Sequence, residues 1–215
     1  MKGFKTYISM YPAWYRFVVF LIVPVVIIAD GVLVAIAGAD YNIGIVLGMS
    51  AGLLPYGELF GEWFTLGEIC ARKGAFGEVV LSSPNAKVFV RRFAIFDALR
   101  KVVGYPLIFC IQQIVILFVA RQKANLFDAV VLGVICSAAV LAGILILRHT
   151  KAIAMRFVSY LAMGLVMGLL GVPYLNTDVF GIRLIIAVIA VFLAALFTYL
   201  SIKTILESAR EDYYD

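Results

Sequence analysis

The sequence predicts an all-α, polytopic membrane protein of six transmembrane helices with both termini in the cytosol. Three observations lead there. Of 215 residues, 64% are apolar and only 14% charged, whereas a soluble domain of this length carries about 25% charged residues. The apolar residues gather into six runs, each near the ~20 residues that cross roughly 30 Å of hydrocarbon. Lysine and arginine concentrate in alternate connections between those runs, the pattern that orients membrane helices. Six spans consume most of the chain, so residues 1–215 read as a single transmembrane domain.

Residues 2–15 interleave Lys2 and Lys5 with Phe4, Tyr7, Ile8, Tyr11, Trp14 and Tyr15. Amphipathic side chains of this kind favour the headgroup layer, so a short surface helix is predicted, broken at Pro12, where the first span can begin. The spans run approximately from Arg16 to Gly38, Ile43 to Leu66, Val102 to Ala120, Ala129 to Leu147, Phe157 to Val172 and Ile182 to Ile202. The first is too long for a signal-peptide core and is not followed by a small-residue cleavage site, so it is read as retained.

One set of connections carries fifteen Lys and Arg residues: Lys2, Lys5 and Arg16; seven between Arg72 and Lys101; Arg148, Lys151 and Arg156; Lys203 and Arg210. The other set carries only Arg121, Lys123 and Arg183. The basic side is the cytosolic one. Net charge is +5, but these cations mark topology and do not form a face for nucleic acid.

The sizeable cytosolic loop, about residues 67–101, follows the second span. Ser83 can cap a helix that Pro84 begins, since its hydroxyl accepts from free backbone N–H groups and proline has none to lose. Phe89, Phe93 and Phe96 then recur at helical spacing among Lys87, Arg91, Arg92, Arg100 and Lys101. That pattern predicts a helix in the membrane surface, turning near Gly104 and Pro106 into the third span. Residues 76–83 can form a short helix presenting Glu78 and Ser82 four residues apart. In the fifth span Gly164, Gly168 and Gly171 form a small-residue row on which another helix can pack closely, in the same chain or in a second copy.

Ionisable residues inside a membrane are costly and mark candidate sites. Asp30 lies in the first span, where it lines an aqueous path or bonds a neighbour such as Ser50. Glu58 and Glu62 share a helical face after Pro55. They read as a paired carboxylate for acid–base chemistry or a cation, or as structural groups near the cytosolic surface, with Glu62 meeting Arg16; the structural reading is preferred. His149, between Arg148 and Lys151 at the membrane surface, is the single histidine. No zinc helix with two histidines and no G-x-x-x-x-G-K-[ST] phosphate loop is present. Hence no catalytic residue, metal site or ATP site is assigned to this chain. Cys70, Cys110 and Cys136 read as buried thiols.

Between spans two and three, Lys73-Gly74, Glu78, Leu81-Ser82-Ser83-Pro84 and Lys87 follow one another in that order. With the six-span plan and the initial surface helix, the chain resembles the membrane subunit of type-2 ABC exporters. In that family the stretch forms a coupling helix docked on the ATPase. One extra residue separates Gly74 from Glu78, and Asn85-Ala86 replaces the usual apolar-Ser pair.

The resemblance implies a permease subunit in a bacterial plasma membrane, exporting an amphipathic or hydrophobic cargo such as a peptide, antibiotic or lipid-like molecule. It implies a separate ATPase subunit that binds ATP and Mg, with docking residues Arg72, Lys73, Gly74, Glu78, Leu81, Ser82, Ser83 and Pro84. It also implies a second permease copy, identical or paralogous. The alternatives are a non-transporting scaffold or immunity protein without an ATPase partner, and a membrane enzyme built on Glu58 and Glu62.

Overall fold

In the computed structural model the described residues are 13–22, 24–26, 28, 29, 32, 55–62, 86–121, 125–149 and 154–208. Every element in them is helical, with no strand among the described residues. The helices are α1 (Ala13–Phe17, continued by a π turn, Val18–Ile22), α2 (residues 55–62), α3 (Ala86–Ala120) and α4 (Leu126–His149). They are followed by α5 (Ala154–Val166), a π turn (Met167–Gly171), α6 (Val172–Asn176) and α7 (Phe180–Ser208).

Among the described residues four stretches are long and apolar enough to cross a membrane: Val88–Val119, Leu126–Arg148, Phe157–Asn176 and Phe180–Glu207. They correspond to the third to sixth expected spans. Most of the first two expected spans, the surface helix before Pro12, Asp30, Cys70 and the loop residues Arg72 to Pro84 lie outside the described residues.

α4 is the hub. Its most apolar stretch is 78% buried, against 22–28% for the other three, and α3, α5 and α7 pack around it. The sequence explains why. Apolar residues on every side suit a helix with no outward face, and Gly133, Cys136, Ser137, Ala138, Ala139, Ala142 and Gly143 keep its surface thin enough for neighbours to approach. A Cβ on Gly133 would stand 2.5 Å from the backbone of Pro106 on α3. One on Gly143 would stand 2.9 Å from both the Leu59 side chain of α2 and the Ser159 carbonyl of α5. Tyr105, Phe109, Leu132, Ile135, Met163 and Tyr174 fill the space between.

The expected turn from a surface helix into the third span is replaced by one unbroken helix of 35 residues, with Pro106 inside it, about 52 Å long at 1.5 Å per residue. Proline is tolerated inside a membrane helix where neighbours pack against it, and Gly133 makes that contact. α3 ends at Arg121, whose φ of 53° is the left-handed conformation that stops a helix. Between α5 and α6 the chain widens by one residue, and Val172 N–H donates to Met167 O, five residues back. Pro173 is the local cause: it has no N–H and its ring crowds the carbonyl four residues earlier.

Replacing Gly133 with alanine is expected to separate α3 from α4 and lower stability by about 1–3 kcal/mol, read as a lower thermal-unfolding midpoint in detergent. Gly104→Ala, at a position with nothing within 4 Å of the added methyl, is expected not to lower it. Equal midpoints for the two variants contradict the close approach.

Candidate functional site

Two polar clusters stand at opposite ends of the bundle. At one end, six ionised side chains from α2, α3 and α4 form a single network. Arg100 forks onto Glu58, with Nη1 and Nη2 each donating over 2.5 Å to a different carboxylate oxygen. Arg148 Nε donates to Glu62 Oε1 over 2.7 Å, and its Nη2 lies 2.5 Å from the same oxygen and 3.3 Å from Asp97 Oδ2. Lys101 Nζ donates to Asp97 and lies 3.4 Å from Glu62 Oε2. α7 joins through Ser201, whose hydroxyl and carbonyl both accept from Arg148 Nη1.

The helical repeat assembles this. Asp97, Arg100 and Lys101 are three and four residues apart on α3, so one face presents a carboxylate between two cations. Glu58 and Glu62 present two carboxylates on α2 by the same spacing. Arg148 comes from the last turn of α4, which runs antiparallel to α3 and brings its end to the same depth. Glu62, Asp97 and Lys101 are each 1% exposed and Arg148 is 5% exposed. An isolated charge so placed costs several kcal/mol. Here three carboxylates face three cations, and the forked arginine geometry supplies the strong, charge-assisted form of the bond.

At the other end, Asn125 caps α4. Its Oδ1 accepts from Asp128 N–H at 3.2 Å, and its Nδ2 donates to Asp128 Oδ2 at 2.5 Å. Tyr174 OH donates to Asp128 Oδ1 at 2.5 Å. Arg183 Nη1 lies 3.3 Å from Asp128 Oδ2, its Nε donates to Thr177 O at 2.7 Å, and its guanidinium stands 5.6 Å from the Tyr174 ring centre. This clasp ties α4, α6 and α7 together. Asp128 and Arg148 are twenty residues apart on α4, about 30 Å along the axis, the thickness of a bilayer's hydrocarbon core. The polar clusters thus bracket an apolar slab of membrane width.

Several sequence expectations change. Glu62 is held by Arg148 and Lys101, where Arg16 was expected. Glu58 and Glu62 do not form an open carboxylate pair, because each is occupied by protein cations. Arg100, Lys101 and Arg148, which the sequence reading takes as cytosolic-side charges, turn into the bundle onto those carboxylates. Arg91 and Arg92 are exposed, and Lys87 lies in the first turn of α3. Gly164 and Gly168 have nothing within 4 Å of an added Cβ, so among the described residues no helix packs on them; a Cβ added to Gly171 would stand 4.0 Å from Ile135 of α4. With Tyr56, Phe157, Tyr160 and Leu161 these two glycines line an outward-facing apolar groove of about 580 Å³.

Asp97, Asp128 and Tyr174 escaped the sequence reading, as did Gly133 and Gly143. The available signal was charge complementarity at matched depth on antiparallel spans, and Asp97 alone among the basic residues of its helix. Cys136 is buried, Cys110 is partly so, and neither forms a disulfide. Among the described residues no group of three metal-binding side chains assembles.

No family model, curated protein or solved structure matches this chain.

Removing one member of the network leaves its partner buried and uncompensated. Glu62→Gln and Arg148→Met are each expected to destabilise by about 3–5 kcal/mol. The double variant leaves Glu58–Arg100 and Asp97–Lys101 balanced, and is expected to be more stable than either single variant, as measured by a double-mutant cycle on thermal unfolding. Strict additivity of the two losses contradicts the network.

Proposed function

We propose that this chain is the permease subunit of an ATP-driven exporter of the type-2 ABC class. In this reading it has six spans with both termini cytosolic, and a separate subunit hydrolyses ATP. The observation that supports it is the clamp at the base of residues 63–85. That stretch joins α2 to α3, and the two helices are cross-bridged by Glu58–Arg100 and Glu62–Lys101. A chain with no phosphate loop can do ATP-driven work only through a partner, and a partner can move helices only through a handle whose base transmits force. Two crossed ion pairs make such a base.

The ionic end is the cytosolic end in this reading, because the connections on its side carry fifteen of the eighteen Lys and Arg residues. Closure of the ATPase on Arg72 to Pro84, with Glu78 and the Ser82-Ser83-Pro84 turn as the docked face, shifts α2 and α3 together. Arg148 carries the displacement into α4 and Ser201 carries it into α7. The Asp128–Tyr174–Arg183 clasp holds the outer ends while the cytosolic ends move, the arrangement that rigid-body alternating access requires. A second permease copy completes the pathway. The apolar spans suit an amphipathic or hydrophobic cargo.

Purification from native membranes is expected to co-isolate a phosphate-loop ATPase. Glu78→Ala, or deletion of residues 76–83, is expected to leave the permease folded and abolish coupling of hydrolysis to transport. Full transport after the deletion overturns the coupling role, and a stable protein with no ATPase partner favours a scaffold or immunity protein. Glu58→Gln is expected to lower transport severalfold while the ATPase stays bound, measured as cargo efflux per ATP hydrolysed.

A further inference from the structure

The geometry points to a binding site for the phosphate of an anionic phospholipid at Arg91 and Arg92, on the outward face of α3. At 100° per residue, Val88, Arg91, Arg92, Ile95, Leu99 and Val103 fall within an arc of roughly 120°. All six are exposed, while Val90, Phe93, Ala94, Asp97 and Lys101 on the opposite side are buried. The outward face is therefore an apolar stripe that ends on two adjacent arginines.

Depth and charge identify the occupant. The ionic network marks one edge of the apolar slab, and Arg92 lies five residues beyond Asp97, about 7 Å along the helix. The headgroup layer occupies roughly 5–8 Å outside the hydrocarbon on each side, so the two guanidinium groups stand at the level of lipid phosphates. The other cations of this helix's inner face, Arg100 and Lys101, are neutralised by Glu58, Glu62 and Asp97. Among the described residues neither Arg91 nor Arg92 meets a carboxylate, so their counter-charge comes from outside these helices. A phospholipid satisfies both features together. Its acyl chain lies along Ile95, Leu99 and Val103, and its phosphodiester accepts from the arginine forks, whose planar donors match phosphate oxygens. A free phosphate satisfies only the second, and a soluble acidic partner leaves the stripe uncovered. The site does not depend on the exporter reading.

The test is native mass spectrometry of the full chain, released from bilayers of equal phosphatidylglycerol and phosphatidylcholine with identical acyl chains. The wild-type protein is expected to retain phosphatidylglycerol over phosphatidylcholine by on the order of tenfold. Arg91→Gln with Arg92→Gln is expected to lose that preference without a change in thermal midpoint, since the buried network is untouched, and Arg91→Lys with Arg92→Lys to keep part of it. The proposal is overturned if the glutamine variant retains the preference or if the wild type has none. It is overturned equally if inorganic phosphate binds lipid-free protein as tightly as phosphatidylglycerol does, or if the substitutions release only a soluble partner and leave lipid retention unchanged.

Discussion

Burying charge in an apolar bundle is the constraint on which the rest of this structure depends, and the Glu62–Arg148 pair is where it is met most directly. Neither group is tolerable alone at that depth. Once paired they fix α2 against the end of α4. Asp97 and Lys101 then complete a balanced set that also fixes α3, and Ser201 extends it to α7. Because each charge has a defined partner, sliding one helix past another by a turn would strand several charges at once. The network therefore sets register as well as adhesion. Apolar packing between membrane helices is weakly specific, since lipid tails are as apolar as leucine.

The opposite end repeats the principle with fewer charges. Asp128 receives a tyrosine hydroxyl, an asparagine amide and a guanidinium, and it does so on α4, the same helix that carries Arg148. α4 is thus a strut with a polar anchor at each end and small residues between. Gly133 and Gly143 let α3, α2 and α5 approach it closely. A bundle built around such a strut has a centre fixed at both ends and a periphery held by fewer contacts. The outward groove along Gly164 and Gly168 belongs to that periphery.

The all-helical class and the third to sixth spans were legible because long apolar runs have few alternatives in a membrane. Hydrophobicity alone could not say which span is central. That information lay in the distribution of small residues along α4, a subtler signal than the glycine row at Gly164, Gly168 and Gly171. The pairing of the charges was hidden for a related reason. Counting Lys and Arg by connection treats each as a surface marker, and it is blind to carboxylates on a neighbouring helix that draw Arg100, Lys101 and Arg148 inward. Glu58 and Glu62 stood out because their spacing is local. Their partners lie 42 and 86 residues away, and no local pattern reports such pairing. The continuity of α3 through Gly104 and Pro106 was hidden likewise, since the support for Pro106 comes from Gly133.

In the proposed function the ionic end of the bundle faces the cytosol while the Asp128–Arg183 clasp faces outward. The most direct measurement is labelling of single cysteines by a membrane-impermeant maleimide, in a chain whose native Cys70, Cys110 and Cys136 have been replaced. With Ser83→Cys the label is predicted to enter only after the cells are permeabilised, and with Asp178→Cys, beside the clasp, it is predicted to enter intact cells. Labelling of Ser83→Cys in intact cells, or of both sites from the same side, would overturn that orientation.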